Sequence, residues 1–141
     1  MPETATAARP KPVVPFLKFE ADGSPWLAGC ECKKCGETFL GSREVCAKCG
    51  ARGEMKPKRL AETGRLYNYT IVYRNFPGVP VPFVSAIVDL DGGGTLKGNL
   101  LDVEPDPKKI DFNMAVKVVF RDAGRKDKEG NSYLAYFFVP A

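Results

Sequence analysis

The amino-acid sequence predicts a mainly β chain in two parts, a small ribbon closed on a metal by four cysteines and then a five-stranded barrel. Three observations carry this. Two C-x-x-C pairs, each followed by glycine, are separated by ten residues. From Gly64 onward, runs rich in Tyr, Thr, Ile and Val alternate with Gly- and Pro-rich turns. No segment carries the apolar periodicity of a long amphipathic helix.

Residues 1–12 (MPETATAARPKP) are polar and Pro-rich with no apolar h-region, which predicts a disordered leader and no secretory signal. Val13 to Phe19 and Trp26-Leu27-Ala28 flank the turn Asp22-Gly23-Ser24-Pro25 and should form a short hairpin packed on the ribbon. Trp26 is expected to fill the ribbon's small core, with a place on a binding surface as the alternative. Residues 51–63 (ARGEMKPKRLAET) are basic and polar and read as a connector, so the ribbon unit spans 13–63.

The barrel unit spans 64–141. Its strands are expected at Arg65–Asn75, Phe83–Leu90, Thr95–Leu101, Ala115–Arg121 and Tyr133–Val139. The turn Asp91-Gly92-Gly93-Gly94 makes the second and third a strong hairpin. The loop Phe76 to Pro82 (FPGVPVP) should be mobile or face a partner, because proline cannot sit in a central strand. At a spacing of two, Tyr67, Tyr69, Ile71 and Tyr73 share one face, which suits an aromatic binding platform or the barrel core equally.

Cys32-Lys33-Lys34-Cys35-Gly36 and Cys46-Ala47-Lys48-Cys49-Gly50 have the form of metal knuckles. In such a turn two sulfurs face one ion about 2.3 Å away. The glycine allows a positive φ and brings backbone N–H groups towards the thiolates. Two knuckles complete a tetrahedron with no open position, a closed S₄ site that selects zinc, with iron as the alternative. Its role is folding, since a ribbon of loop and short strand cannot build a core unaided. Disulfides and a redox C-x-x-C fit the paired, Gly-flanked pattern poorly. Cys30 is the surplus cysteine. It could replace Cys32, but Cys32 has the correct spacing to Cys35, so Cys30 reads as a packing residue.

Composition narrows the chemistry. With 44% hydrophobic and 27% charged residues, the chain resembles a globular protein, and no apolar run approaches the roughly 18 to 20 residues of a membrane span. Lacking an export signal, it is expected in the cytoplasm, where thiols stay reduced. The sequence contains no histidine, which removes the commonest general base and every nucleophile–histidine pair. A closed zinc site cannot activate water, so an enzyme would need a carboxylate or lysine base. Asp89 and Asp91 read instead as strand-end and turn residues.

The order of parts resembles a known family, the small zinc-ribbon and OB-fold proteins of bacteria and archaea that accompany acyl-CoA enzymes, chiefly thiolases. The resemblance covers about residues 13 to 140. It rests on Gly23-x-Pro25-x-Leu27-x-Gly29, on Cys32-x-x-Cys35-Gly36 with Phe39 and Arg43, and on Cys46-x-x-Cys49-Gly50. After the knuckles come Gly64-x-Leu66-x-x-Tyr69-Thr70, Pro82-Phe83, Ala86-Ile87-Val88-Asp89-Leu90 and Tyr136-Phe137-Phe138-Val139-Pro140. The chain departs from the pattern at Gly41-Ser42-Arg43 and Cys46-Ala47, where the family usually has Pro-Arg and Cys-Pro. It also has Asn113 where a glycine commonly precedes the methionine of the fourth barrel strand.

The resemblance implies a rubredoxin-like zinc ribbon followed by an OB-fold barrel. It also implies a non-catalytic subunit of an acyl-CoA thiolase or related acyltransferase or hydratase, with the catalytic residues on the partner chain. Such a subunit would support assembly and acyl-CoA binding, naturally in a heterotetramer with a thiolase dimer. Aromatic-compound degradation is the narrower expectation. Between Lys33 and Arg74, ten Lys/Arg face four Glu, an excess that could attract CoA phosphates. Lys33, Lys34, Arg43, Arg65 and Arg74 are the candidate contacts to CoA or partner, and a solvated face around the anionic metal site is the bland alternative. A second class of function is single-stranded nucleic-acid binding, with Tyr67, Tyr69, Tyr73 and Phe76 in or near the first barrel strand as stacking groups and Arg65 and Arg74 flanking that strand. The net charge of +4, lowered to about +2 by four thiolates and a divalent ion, argues against strong phosphate binding.

Overall fold

The structure, a computed structural model, describes residues 10–141. Most of the predicted leader, residues 1–9, lies outside the described residues. Its last two residues do not remain loose: Lys11–Pro12 form a short strand, β1. Then come β2 (Leu17–Phe19), β3 (Pro25–Cys32), β4 (Thr38–Leu40) and β5 (Met55–Arg59). The larger sheet is built by β6 (Thr63–Val72), β7 (Phe83–Leu90), β8 (Thr95–Leu100), β9 (Ala115–Lys126) and β10 (Ser132–Pro140). The described residues contain no helix.

In the larger sheet β10, β8, β7, β6 and β9 are neighbours in that order, and β9 also pairs with β10, so five strands close into a barrel. All these pairs are antiparallel except β8 with β10, which meet in parallel at Leu100 and Phe138. Closure removes the open edges on which β proteins aggregate. Alternation fills the barrel: Val84, Ala86, Val88 and Leu90 of β7 are all buried, one side chain in two. They meet Leu66, Leu96, Leu100, Val116, Val118 and a fully buried Phe138 in one core.

Strand β6 breaks its own alternation. A β-bulge between Leu66 and Asn68 leaves Tyr67 without a partner in the ladder and shifts the phase of the residues after it. Leu66 points inward before the bulge, and Tyr69 and Ile71 turn towards the core beyond it. Tyr67 and Tyr73, 65% and 64% exposed, are left outside. The shared face expected for the four residues is therefore divided: the extra residue sets Tyr67 apart from Tyr69 and Ile71, and Tyr73 lies past the end of β6.

The ribbon is a second sheet centred on β3, which pairs with β2 over its first half and with β4 and β5 over its second. Residues 51–63 are thus not a simple connector. Met55–Arg59 forms an edge strand against Ala28–Cys32, and Leu60 is buried in the common core. An edge position tolerates Pro57, which lies opposite Cys30. The hairpin of β2 and β3 also differs from expectation in its packing. Leu17 and Leu27 are fully buried and belong to the same core as the barrel, while Trp26 is only half-buried. Opposed in register, Leu17 and Leu27 take the inner face of the hairpin and exclude Trp26 from it.

Ribbon and barrel are locked by a few specific contacts. Lys58 of β5 donates to the Thr38 hydroxyl at 3.0 Å and to the Gly92 carbonyl of the β7–β8 turn at 2.6 Å, and pairs with Glu31 at 2.9 Å. Gly93, with φ +111°, lies against Thr38 so closely that a Cβ would sit 2.8 Å from the threonine Cβ. Both the backbone angle and the space require glycine there. At the N-terminus, β1 pairs in parallel with β10, and Lys11 is tied to Asp127 in the β9–β10 turn. Asn113 has φ +66°, a left-handed angle that asparagine tolerates better than most residues.

Candidate metal centre

The four predicted ligands converge. The sulfurs of Cys32, Cys35, Cys46 and Cys49 all lie within 4.8 Å of one another, although the pairs come from separate turns. Cys32 ends β3, and Cys46 sits beside a short bridge in which Val45 opposes Arg52. Each knuckle is closed by its glycine: Gly36 N–H donates to Cys32 O at 2.8 Å and Gly50 N–H to Cys46 O at 2.9 Å. Their φ values are +78° and +76°, in the region where a side chain is strained.

The donor set fits a tetrahedral metal. Four sulfurs about 2.3 Å from a common centre would be separated by about 3.8 Å. Two of the pairs stand at 3.7 Å (Cys32–Cys49) and 3.5 Å (Cys35–Cys46). Backbone N–H groups also point at sulfur, and Cys49 N–H approaches Cys46 Sγ at 3.5 Å. Cys46 is brought down to about 6, first by the Cys49 N–H and, against desolvation, also by that of Lys48. The N–H of Cys35 similarly lowers Cys32. At Cys35 the Glu37 N–H favours the thiolate, but desolvation and the three neighbouring sulfurs push it up to about 12. Four thiolates so close together need a cation, and thiolate donors in a closed tetrahedron suit zinc.

Cys32 and Cys46 are buried and Cys35 and Cys49 face solvent, so the centre sits at the ribbon's surface. Lys48 reaches Glu37 at 3.2 Å beside it. Cys30, 3% exposed, lies outside the cluster and packs inside β3. A site with four sulfurs directed at one another has no position left for a substrate.

The five candidate contact residues do not form one patch. Lys33 and Lys34 are exposed on the first knuckle, and Arg43 lies past β4 with its guanidinium 4.1 Å from the Phe39 ring centre. Arg65 is near the start of β6, where it reaches the Asn113 carbonyl, and Arg74 lies past its end, about 30 Å away along extended chain. Of the other cations in this stretch, Lys48, Lys56, Lys58 and Arg59 are paired with Glu37, Glu31, Glu31 and Glu20. Sequence reasoning missed Lys58 as the tie between ribbon and barrel. Its only signal was alternation with Lys56 through Pro57.

Comparison with known proteins now places this architecture. A "DUF35 domain-containing scaffold protein" of Methanocaldococcus jannaschii is 32% identical over 117 residues, 81% of each chain. The chain belongs to the DUF35 family. Residues 58–121 of this DUF35 chain match the family model for the ChsH2 C-terminal OB-fold domain. The solved structure titled "Ltp2-ChsH2(DUF35) aldolase" superposes with a TM-score of 0.63 at 27% identity, covering 82% of this chain and 84% of that one. The "Benzoylsuccinyl-CoA thiolase subunit BbsA" of Geobacter metallireducens is 36% identical over 77 residues, 53% of this chain and 51% of that protein. The OB barrel of this chain is therefore the fold of that family model, and the likeness to the solved structure extends over most of the chain.

Proposed function

We propose that this chain is a non-catalytic accessory subunit of an acyl-CoA thiolase or a related CoA-thioester condensing enzyme. It supports assembly of the complex and acyl-CoA binding in the cytoplasm, with aromatic-compound degradation as the narrower setting. One structural zinc per chain is held by Cys32, Cys35, Cys46 and Cys49. The ribbon, 13–63, and the barrel, 64–141, are its two units, and two copies join a thiolase dimer as a heterotetramer. Lys33, Lys34, Arg43, Arg65 and Arg74 are the proposed contacts to CoA phosphates or to the partner.

The observation that carries this reading is likeness to a thiolase subunit in a chain unequipped for the chemistry itself. It has no histidine, and its four clustered sulfurs are directed at one another. Affinity-tagged chain purified from its native host should bring down a thiolase-type or aldolase-type polypeptide in stoichiometric amount. Recovery without any such chain would sink the reading.

A second reading has one observation in its favour. Tyr67, Tyr73 and Phe76 are 65%, 64% and 82% exposed along β6 and beyond, with Arg65 and Arg74 at the two ends. Exposed aromatics between cations are how OB barrels stack single-stranded nucleic acid. Binding of a labelled oligonucleotide that weakens steeply with salt, and is lost in Tyr73→Ala and Phe76→Ala, would favour it over the first.

A further inference from the structure

The ribbon carries a cleft that the metal centre does not use. Phe16, Trp26, Cys30, Leu40, Met55 and Pro57 line it, and it encloses about 570 Å³. That volume is in the range of small-ligand sites, which are apolar with a few polar groups to orient what they hold. Three cations stand at its rim, Lys18, Arg43 and Lys56. Lys56 is paired with Glu31 at 3.3 Å. Lys18 and Arg43 have no carboxylate partner among the described residues. Arg43 is instead held over the Phe39 ring, which positions the guanidinium without neutralising it.

Trp26 adds an independent sign. It forms the wall between this cleft and a smaller one of about 220 Å³, where Arg59 stands 5.2 Å from its ring. Its indole Nε1 is buried and has no hydrogen-bond partner among the described residues. A buried donor is costly unless it finds an acceptor, and native proteins leave few of them. The core does not claim the indole, because Leu17 and Leu27 already fill the inner face of the hairpin.

We propose that this cleft binds an amphipathic organic anion. Its apolar chain lies along Phe16, Leu40, Met55 and the Trp26 ring, and its head group is held between Lys18 and Arg43. Charge complementarity and the unpartnered donor support the assignment, which does not depend on the identity of any partner protein. The head group is a carboxylate or a phosphate, since a guanidinium and an ammonium recognise both.

Trp26 is the sole tryptophan of the chain, so its fluorescence reports on binding at its ring, and the Lys18 and Arg43 variants assign the change to this cleft. The zinc-loaded full chain is titrated with decanoate, decyl phosphate and uncharged decanol, each below the concentration at which it aggregates. A saturable change in Trp26 emission is expected with at least one anion, about tenfold tighter than with decanol. The tighter anion identifies the head group. Arg43→Gln and Lys18→Gln should each weaken that binding severalfold, with zinc content and the far-UV spectrum unchanged. If Arg43→Gln fails to fold, Lys18→Gln on the exposed side of β2 decides. Saturation by decanol as tight as by the anions, no saturable change with either anion, or unaltered affinity in the folded variants would overturn the proposal. None of these outcomes bears on whether a thiolase-type chain copurifies.

Discussion

The ribbon and the barrel solve the same problem with different materials. In the barrel, five strands close on themselves and bury a continuous set of side chains from Leu66 to Phe138. In the ribbon, β2 and β4 are three residues long, and the half around the knuckles packs only a partly buried Leu40 of its large aliphatic side chains against the core. Each fully buried aliphatic side chain stabilises by about 2 kcal/mol, so the barrel's stability rests mainly on apolar burial. The knuckle region has little of it, and four clustered sulfurs stand in its place. Each half is therefore vulnerable in its own way, the ribbon to chemistry at one point and the barrel to loss of volume.

Metal removal should have the largest effect, and only on one side. Chelation, or Cys46→Ser, is expected to abolish the stoichiometric zinc and the hydrogen-exchange protection of residues 30–55, while β6 to β10 stay protected. Equal loss in both regions would mean that the barrel too depends on the metal. Phe138→Ala, at a fully buried position, should destabilise the barrel by about 3 to 5 kcal/mol in denaturant titrations while leaving zinc stoichiometry intact.

Gly93→Val addresses the seam. A side chain there meets both a disfavoured φ and the Thr38 Cβ, so a loss of about 2 kcal/mol is expected, with increased exchange at β4 and at the β7–β8 turn. A neutral result would show that the two halves slide past one another at no cost. The Glu31 ion pairs should have the smallest effect. Lys58, then Lys56, hold the Glu31 carboxyl below the usual glutamate range by hydrogen bonds and by charge. A carboxylate lowered in the folded state stabilises it above its ordinary value, and that contribution fades as pH falls through this range. Glu31→Gln should therefore be less stable than the wild type at pH 7, and the two thermal midpoints should converge below about pH 4. A constant difference across that range would assign the effect to packing instead.

Much of both halves was legible because the signals are local. Phe83–Leu90 is a strand in the sequence and in the structure, since every second residue must be apolar to line a barrel. The cysteine cluster was legible because a knuckle needs its cysteines and glycine within five residues, whatever surrounds them. The illegible parts depended on distant partners. Met55–Arg59 looks like a basic connector, and becomes a strand only because β3 offers it an edge. The bulge at Tyr67 arises from pairing with β7, and nothing in the run of Tyr, Thr, Ile and Val marks it.

The two-part plan, the four sulfurs and most strand cores were thus set by local sequence, and the absence of histidine set limits on the chemistry. The face that each aromatic takes was decided only in three dimensions. Packing sent Trp26 to the wall of a cleft and Tyr67 and Tyr73 to the surface, and it chose Lys58 as the tie between the halves. The reason is physical. Turn geometry and alternation are settled within a few residues, but a side chain's environment is settled by its packing neighbours, and in a β fold those neighbours come from far along the chain.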